Sequence, residues 1–94
     1  MTDTGKVAKQ VFFEGRVQGV GFRFMTKQLA QGFEVVGWVR NLSDGRVELQ
    51  VMGEYAEVSG FLRAFDDSSL AHHIQHMDIT TIAPLTGVTS FSIR

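Results

Sequence analysis

Between Gly15 and Arg23 the chain reads Gly-Arg-Val-Gln-Gly-Val-Gly-Phe-Arg. Three glycines within seven positions separate a strand-like pattern from a helix-like one. A glycine takes positive φ without steric cost, so this stretch can curl until several main-chain N–H groups face one point. Such a curl is an anion nest. A helix beginning beside it adds unpaired N–H groups and the positive end of its dipole. Arg23 falls in that first turn, where its planar fork suits two oxygens of one anion. The geometry points to a bound phosphate or sulfate in the loop. Three close glycines also serve as a plain tight turn, and an arginine at a helix start is often solvated, so both readings stand at this point. Two familiar nucleotide loops are excluded. Phe22 and Arg23 follow Gly21 where a Walker loop has Lys-Ser/Thr. Phe24 stands where a dinucleotide fingerprint has its third glycine.

The flanking pattern is regular enough to order the elements. Val7 to Glu14 reads as a strand, with Val11 and Phe13 on one face and Phe12 on the other. Phe22, Met25, Leu29 and Ala30 form a helical stripe, and Gly32 is expected to end it as a left-handed cap. Val35 to Asn41 is β-branched and aromatic, hence a second strand. Asp44-Gly45 is a turn signal. In Arg46 to Met52, Val47, Leu49 and Val51 alternate with Arg46, Glu48 and Gln50, which predicts one buried side and one wet side, and Gly53 is expected to end the strand. Val58, Phe61, Leu62 and Phe65 mark a second helix. Gly60 within it costs about 1 kcal/mol against alanine unless a neighbour packs closely there. After a polar turn at Asp66 to Ser69, Ile74, Met77 and Ile79 indicate a fourth strand, irregular at its start. Pro84 lies beyond it, and Phe91 and Ile93 mark a short last strand.

This order is β-α-β-β-α-β with one extra strand. It predicts an α+β fold, a ferredoxin-like split β-α-β sandwich whose antiparallel sheet of four to five strands carries two helices on one face. The 94 residues suffice for one domain spanning 1–94, with 1–6 as a disordered tail. A 44% hydrophobic content supports a real core, and the net charge of −1 argues against a general nucleic-acid or acidic-membrane binder. The absence of cysteine removes disulfides, thiol catalysis and thiolate metal sites. No apolar run approaches a membrane span or a signal peptide, so no membrane is expected, cytoplasm is the default, and a monomer follows from size.

Two segments together resemble the acylphosphatase family. Gly15-Arg16-Val17-Gln18-Gly19-Val20-Gly21-Phe22-Arg23 is similar to its first signature. Gly37-Trp38-Val39-Arg40-Asn41, followed by Asp44-Gly45 and Val47, is similar to its second. The terminal Phe91-Ser92-Ile93-Arg94 also looks like the family. The resemblance runs from about Val11 to the end. It implies hydrolysis of the carboxyl-phosphate bond of small acyl phosphates to a carboxylate and inorganic phosphate. Carried over by position, it implies that Arg23 binds the phosphate and that Asn41 orients the attacking water. It also implies a cradle formed by Arg16, Val17, Gln18, Gly19, Val20, Gly21 and Phe22, with no metal and no cofactor. Acylphosphatase-like modules also occur within large carbamoyl-transfer proteins, although a free-standing enzyme is the expectation for this short chain. The chain departs from the family pattern at Glu34, where a helix-ending glycine is common. Glu54 replaces a common proline, and Ser68 to His76 has drifted.

Other residues leave alternatives. His72, His73 and His76 form a His-His-x-x-His cluster without a carboxylate partner, a weak metal signal set against a solvated or structural role. Trp38 is either sheet packing or a stacking platform. With Phe12 it imitates the aromatics of RNA-binding sandwiches, although the charge is wrong for that class. Arg16 and Arg40 add positive potential to the site or are ordinary surface arginines. A non-hydrolytic phosphate sensor on the same fold is a third possibility.

Overall fold

A computed structural model describes residues 6–94. Its elements are β1 (Lys6–Gly15), α1 (Phe22–Ala30), β2 (Val35–Asn41), β3 (Val47–Glu54), α2 (Tyr55–Ala64), β4 (Ile74–Ile82) and β5 (Phe91–Ile93). Two 3-10 turns, Phe65–Asp67 and Ser69–His73, link α2 to β4. Of the expected tail, residues 1–5 lie outside the described residues. Lys6 is already paired with Glu54.

The sheet order is β4-β1-β3-β2-β5. The first four strands pair antiparallel and make the ferredoxin-like sandwich that the element order predicts. β5 pairs parallel to β2, so the five-stranded sheet is mixed at that edge. The reason is topological. The chain leaves β4 at one end of the sheet and re-enters at that end on the far edge. β5 therefore runs opposite to β4 and along β2. The irregular start of β4 is a register shift between Glu14 and Gly15. At Gly15 (φ 131°) a Cβ would stand 2.4 Å from the main-chain oxygen of His73, so only glycine fits where β1 hands over to the loop.

Two local expectations change and a third is met. Gly32 is not a left-handed cap. The helix leaves through Gln31 in right-handed geometry, and Gly32 and Phe33 N–H groups donate to Leu29 and Ala30 carbonyls in a tightened last turn. Gly53 does not break β3. It pairs with Val7 on one side and Val35 on the other, and a Cβ there would lie 2.7 Å from the main-chain oxygen of Glu34. Glycine at this point permits a close approach inside the sheet. Gly60 sits under the Phe33 ring, at 2.9 Å from where its Cβ would be, which supplies the close neighbour that such a glycine calls for.

Both helices pack on one face of the sheet. Val11, Phe13, Val39, Val47, Leu49 and Val51 meet Phe22, Val58, Phe61 and Phe65 in a single core. Phe13, Phe22 and Phe65 stack within it at centroid distances of 4.9 to 6.2 Å. Aromatic pairs in this range add about 0.5–1.5 kcal/mol beyond area burial.

The opposite face is not simply wet. Glu48, read as solvated from its alternation, is 3% exposed. Gln10 on β1, Arg40 on β2 and Gln50 on β3 surround its carboxylate with donors at 2.8, 2.8 and 3.0 Å. Alternation predicts a side; it does not predict what neighbouring strands bring to cover that side. Burial pushes the Glu48 carboxyl up, and hydrogen bonds from Gln10, Arg40 and Gln50 outweigh it and hold the group below its ordinary 4.5. A group lowered on folding stabilises the native state above its unfolded pKa. That contribution fades as pH falls from about 4.5 through the lower folded value. Glu48→Ala is expected to orphan the two amide donors and destabilise by about 1–3 kcal/mol at pH 7. Its urea midpoint should approach wild type as pH falls from 5 to 3; a gap that stays constant over this range contradicts the assignment.

Candidate active site

The loop between β1 and α1 is pinned at both ends and open in the middle. Val17 is fully buried and Phe22 is 2% exposed, so two apolar anchors hold a short arch against the core. Between them Gly19 (φ 79°) and Gly21 (φ 77°) are left-handed. A Cβ at either position would meet nothing within 4 Å, so backbone conformation and not crowding calls for glycine there. Gly21 is the residue before α1, and its carbonyl accepts from Met25 N–H at 3.0 Å. Arg16 N–H donates to His73 at 3.0 Å. Among the described residues, no N–H from Val17 to Phe24 meets a protein acceptor. The loop and the helix start thus present a continuous run of free donors.

A second loop braces this arch. The Gln18 side-chain amide donates to the main-chain oxygens of Leu42 (2.7 Å) and Arg46 (2.9 Å), the two ends of the β2–β3 turn. That turn is closed by Leu42 N–H to Arg46 (2.8 Å), with Gly45 left-handed at φ 96°. Asp44 accepts from the N–H and the guanidinium of Arg46, and these hydrogen bonds hold its carboxyl below the usual value. The turn begins directly after Asn41, so Gln18 ties the arch to the strand end that carries Asn41.

The arch, Arg23 and Asn41 border one open cavity of about 210 Å³. Val17, Gly19, Gly21 and Phe22 form the loop side of it. Phe24 and Ile93 complete the wall. Among the described residues, Arg23 is the one charged residue in the lining. Its Nη1 donates to the main-chain oxygen of Arg94 at 3.0 Å, so strand β5 orients the guanidinium. Arg94 is itself tied to β2 through its N–H to Val39 (2.8 Å).

Not every residue of the signatures reaches this cavity. Arg16 is exposed beside β4, Gln18 is turned to the neighbouring turn, and Val20 packs against the core. Arg40 belongs to the other face of the sheet, ion-paired with Glu48. There Trp38 lies under the guanidinium groups of Arg40 (5.1 Å) and Arg94 (4.4 Å), and Phe12 under Arg46 (4.5 Å). With Trp38 7% exposed and a guanidinium over each ring, the two aromatics do not form an open stacking platform of the RNA-binding kind. His72 and His73 fall on the second 3-10 turn and His76 on β4. Among the described residues no three metal-ligating side chains converge. Sequence reasoning assigned no role to Phe24, Ile93 or the Arg94 oxygen. The similarity of residues 91–94 to the family ending was the one available signal.

A sequence model described as acylphosphatase matches residues 9–93. The chain is 37% identical over 86 residues to an acylphosphatase of Oceanobacillus iheyensis, covering 90% of this chain and 94% of that one. The fold superposes on the crystal structure of acylphosphatase from Bacillus subtilis with a TM-score of 0.84 and 33% identity, over 94% of this chain and 98% of the other. It also matches part of full-length HypF in its phosphate- and nucleotide-bound form, with a TM-score of 0.84, 28% identity and 12% of that longer chain covered. No helix of the described residues is long and apolar enough to cross a membrane. With both signatures on the expected elements and a family match over nearly the whole chain, this protein belongs to the acylphosphatase family.

Proposed function

We propose that the protein is a metal-independent acylphosphatase in which Arg23 and the main-chain N–H groups of the 17–21 loop, Arg16 N–H being spent on His73, hold the phosphoryl group of a small acyl phosphate while Asn41 aims a water at phosphorus. The observation that carries this reading is a loop whose N–H groups from Val17 to Phe24 have no protein acceptor among the described residues, and whose Val17, Gly19, Gly21 and Phe22 border the same cavity as Arg23 and Asn41.

The chemistry needs little more than these groups. An acyl phosphate is a mixed anhydride whose leaving group is a carboxylate with a conjugate-acid pKa of about 4. The water oxygen bonds to phosphorus as the bond to the acyl oxygen breaks. The electron pair leaves with the carboxylate, and both water protons end on the released phosphate, as dihydrogen phosphate. No general acid is required for such a leaving group. Phosphoryl transfer relies on positioning and on neutralising charge spread over the equatorial oxygens. A well-aimed donor to such an oxygen is worth about 2.7–4 kcal/mol. Asn41 is a poor base, yet its amide can accept one hydrogen bond from a water and donate another. Orientation of this kind contributes up to roughly 7–11 kcal/mol in ideal geometry.

Release of inorganic phosphate from acetyl phosphate in excess chelator tests the proposal. Wild type is expected to turn over undiminished by chelator, and Arg23→Ala to be inactive. Turnover restored only by added metal contradicts the metal-independent mechanism. Phosphate binding without turnover assigns the chain to the sensor class instead.

A further inference from the structure

Among the described residues, four large apolar side chains stand strongly exposed: Phe24, Tyr55, Ile79 and Ile93. Single exposed apolar residues are ordinary. Two of these four are not scattered. Phe24 (58% exposed) comes from the first turn of α1 and Ile93 (41% exposed) from β5, two elements that pack together. Both line the cavity that holds Arg23 and Asn41. The cavity, at about 210 Å³ and open to solvent, runs from the glycine arch to these two side chains. Beyond the glycine arch the wall is formed by Arg23, Asn41 and these two apolar side chains, and among the described residues no other charged side chain borders it.

We infer that Phe24 and Ile93 form an acyl-group subsite that favours acyl phosphates with an extended apolar acyl chain over acetyl phosphate. The inference rests on the hydrolytic reading above and names the substrate class of that site. Its physical basis is division of labour. The donors of the arch take the phosphoryl end, which is common to every acyl phosphate. An acyl chain leaving that cup lies against the Phe24 ring and the Ile93 side chain, where it removes apolar surface of both partners from water. Binding of this remote part of the substrate lowers the barrier for reaction of the anchored part.

A chain-length series measures this directly. Full burial of one methylene corresponds to about a fourfold gain, and a wall open on one side supplies roughly half of that on the logarithmic scale. Wild type is therefore expected to show kcat/KM for hexanoyl phosphate about tenfold or more above that for acetyl phosphate, with butanoyl phosphate between. In Phe24→Ser with Ile93→Ser that ratio should fall to within about twofold of unity, while Phe24→Leu retains most of it. Competitive inhibition by inorganic phosphate should change by less than about twofold in the serine variants, because phosphate alone does not reach the wall.

Turnover of all three substrates without chain-length dependence in wild type overturns the subsite and leaves hydrolysis standing. So does a serine variant that loses acetyl and hexanoyl turnover equally, with weaker phosphate inhibition in step. Wild-type protein sedimenting as a dimer that Phe24→Ser dissociates assigns the apolar patch to a second copy and also overturns it. Absence of phosphate release from every acyl phosphate removes the hydrolytic reading itself.

Discussion

Arg23→Lys is expected to lose most acyl-phosphate turnover, by about 100-fold or more in kcat/KM, although the charge is conserved. The reason lies in how the guanidinium is held. Its Nη1 donates to the main-chain oxygen of Arg94, which leaves the remaining N–H groups of a rigid plane directed by that contact. A planar fork can serve the Arg94 oxygen and two phosphoryl oxygens at once. A lysine ammonium is a point charge on a flexible stem; it cannot span the same partners and carries more entropy into the site. Phosphate inhibition should weaken in parallel with turnover, since the lost contact acts on the anion itself. Wild-type turnover in Arg23→Lys would remove Arg23 from the mechanism. Circular dichroism and urea midpoints should stay near wild type, because Arg23 is half-exposed and buries no charge.

Asn41→Ala is expected to show the opposite division, with kcat falling by about 100-fold and phosphate affinity mostly retained. Asn41 is exposed at the last position of β2 and borders the cavity across from the arch. On the proposed mechanism its amide aims the attacking water and takes no part in binding the anion. Removing its amide leaves the cup intact and the water unaimed. Reduced phosphate inhibition with little change in kcat would place Asn41 among the anion ligands. Asn41→Asp adds a diagnostic contrast. A carboxylate there accepts a hydrogen bond from water but repels the phosphoryl oxygens, so both binding and kcat should decline.

Both predictions depend on two elements meeting, and this is where sequence and structure part company. The strand-glycine-helix order was readable because each piece is a local matter. Val11 and Phe13 alternate, Phe22, Met25 and Leu29 repeat at helical spacing, and only glycine accepts the φ values found at Gly19 and Gly21 without strain. The second strand ends at Asn41 as its composition predicts. The β-α-β-β-α-β order then leaves few topologies open, because crossovers of this kind are right-handed.

What local pattern could not reach is everything set by partners distant in the chain. Glu48 was assigned to water by its own alternation, but Gln10 and Arg40 arrive from other strands and close over it. Gly53 was taken as a strand end, yet the main-chain oxygen of Glu34 comes close enough to demand glycine inside the sheet. Trp38 offered a ring to stack on until Arg94, 56 positions later by number, covered it. The same holds for the site. The sequence alone pointed to the glycine arch and Arg23 through short-range backbone geometry, and to Asn41 through the family resemblance, and it placed each on its element. Only the tertiary structure decided that β2 lies beside β5, that Arg94 steadies Arg23, and that Phe24 and Ile93 border the same opening. Those are facts of sheet register and helix packing, and no window of the chain contains both halves of any of them.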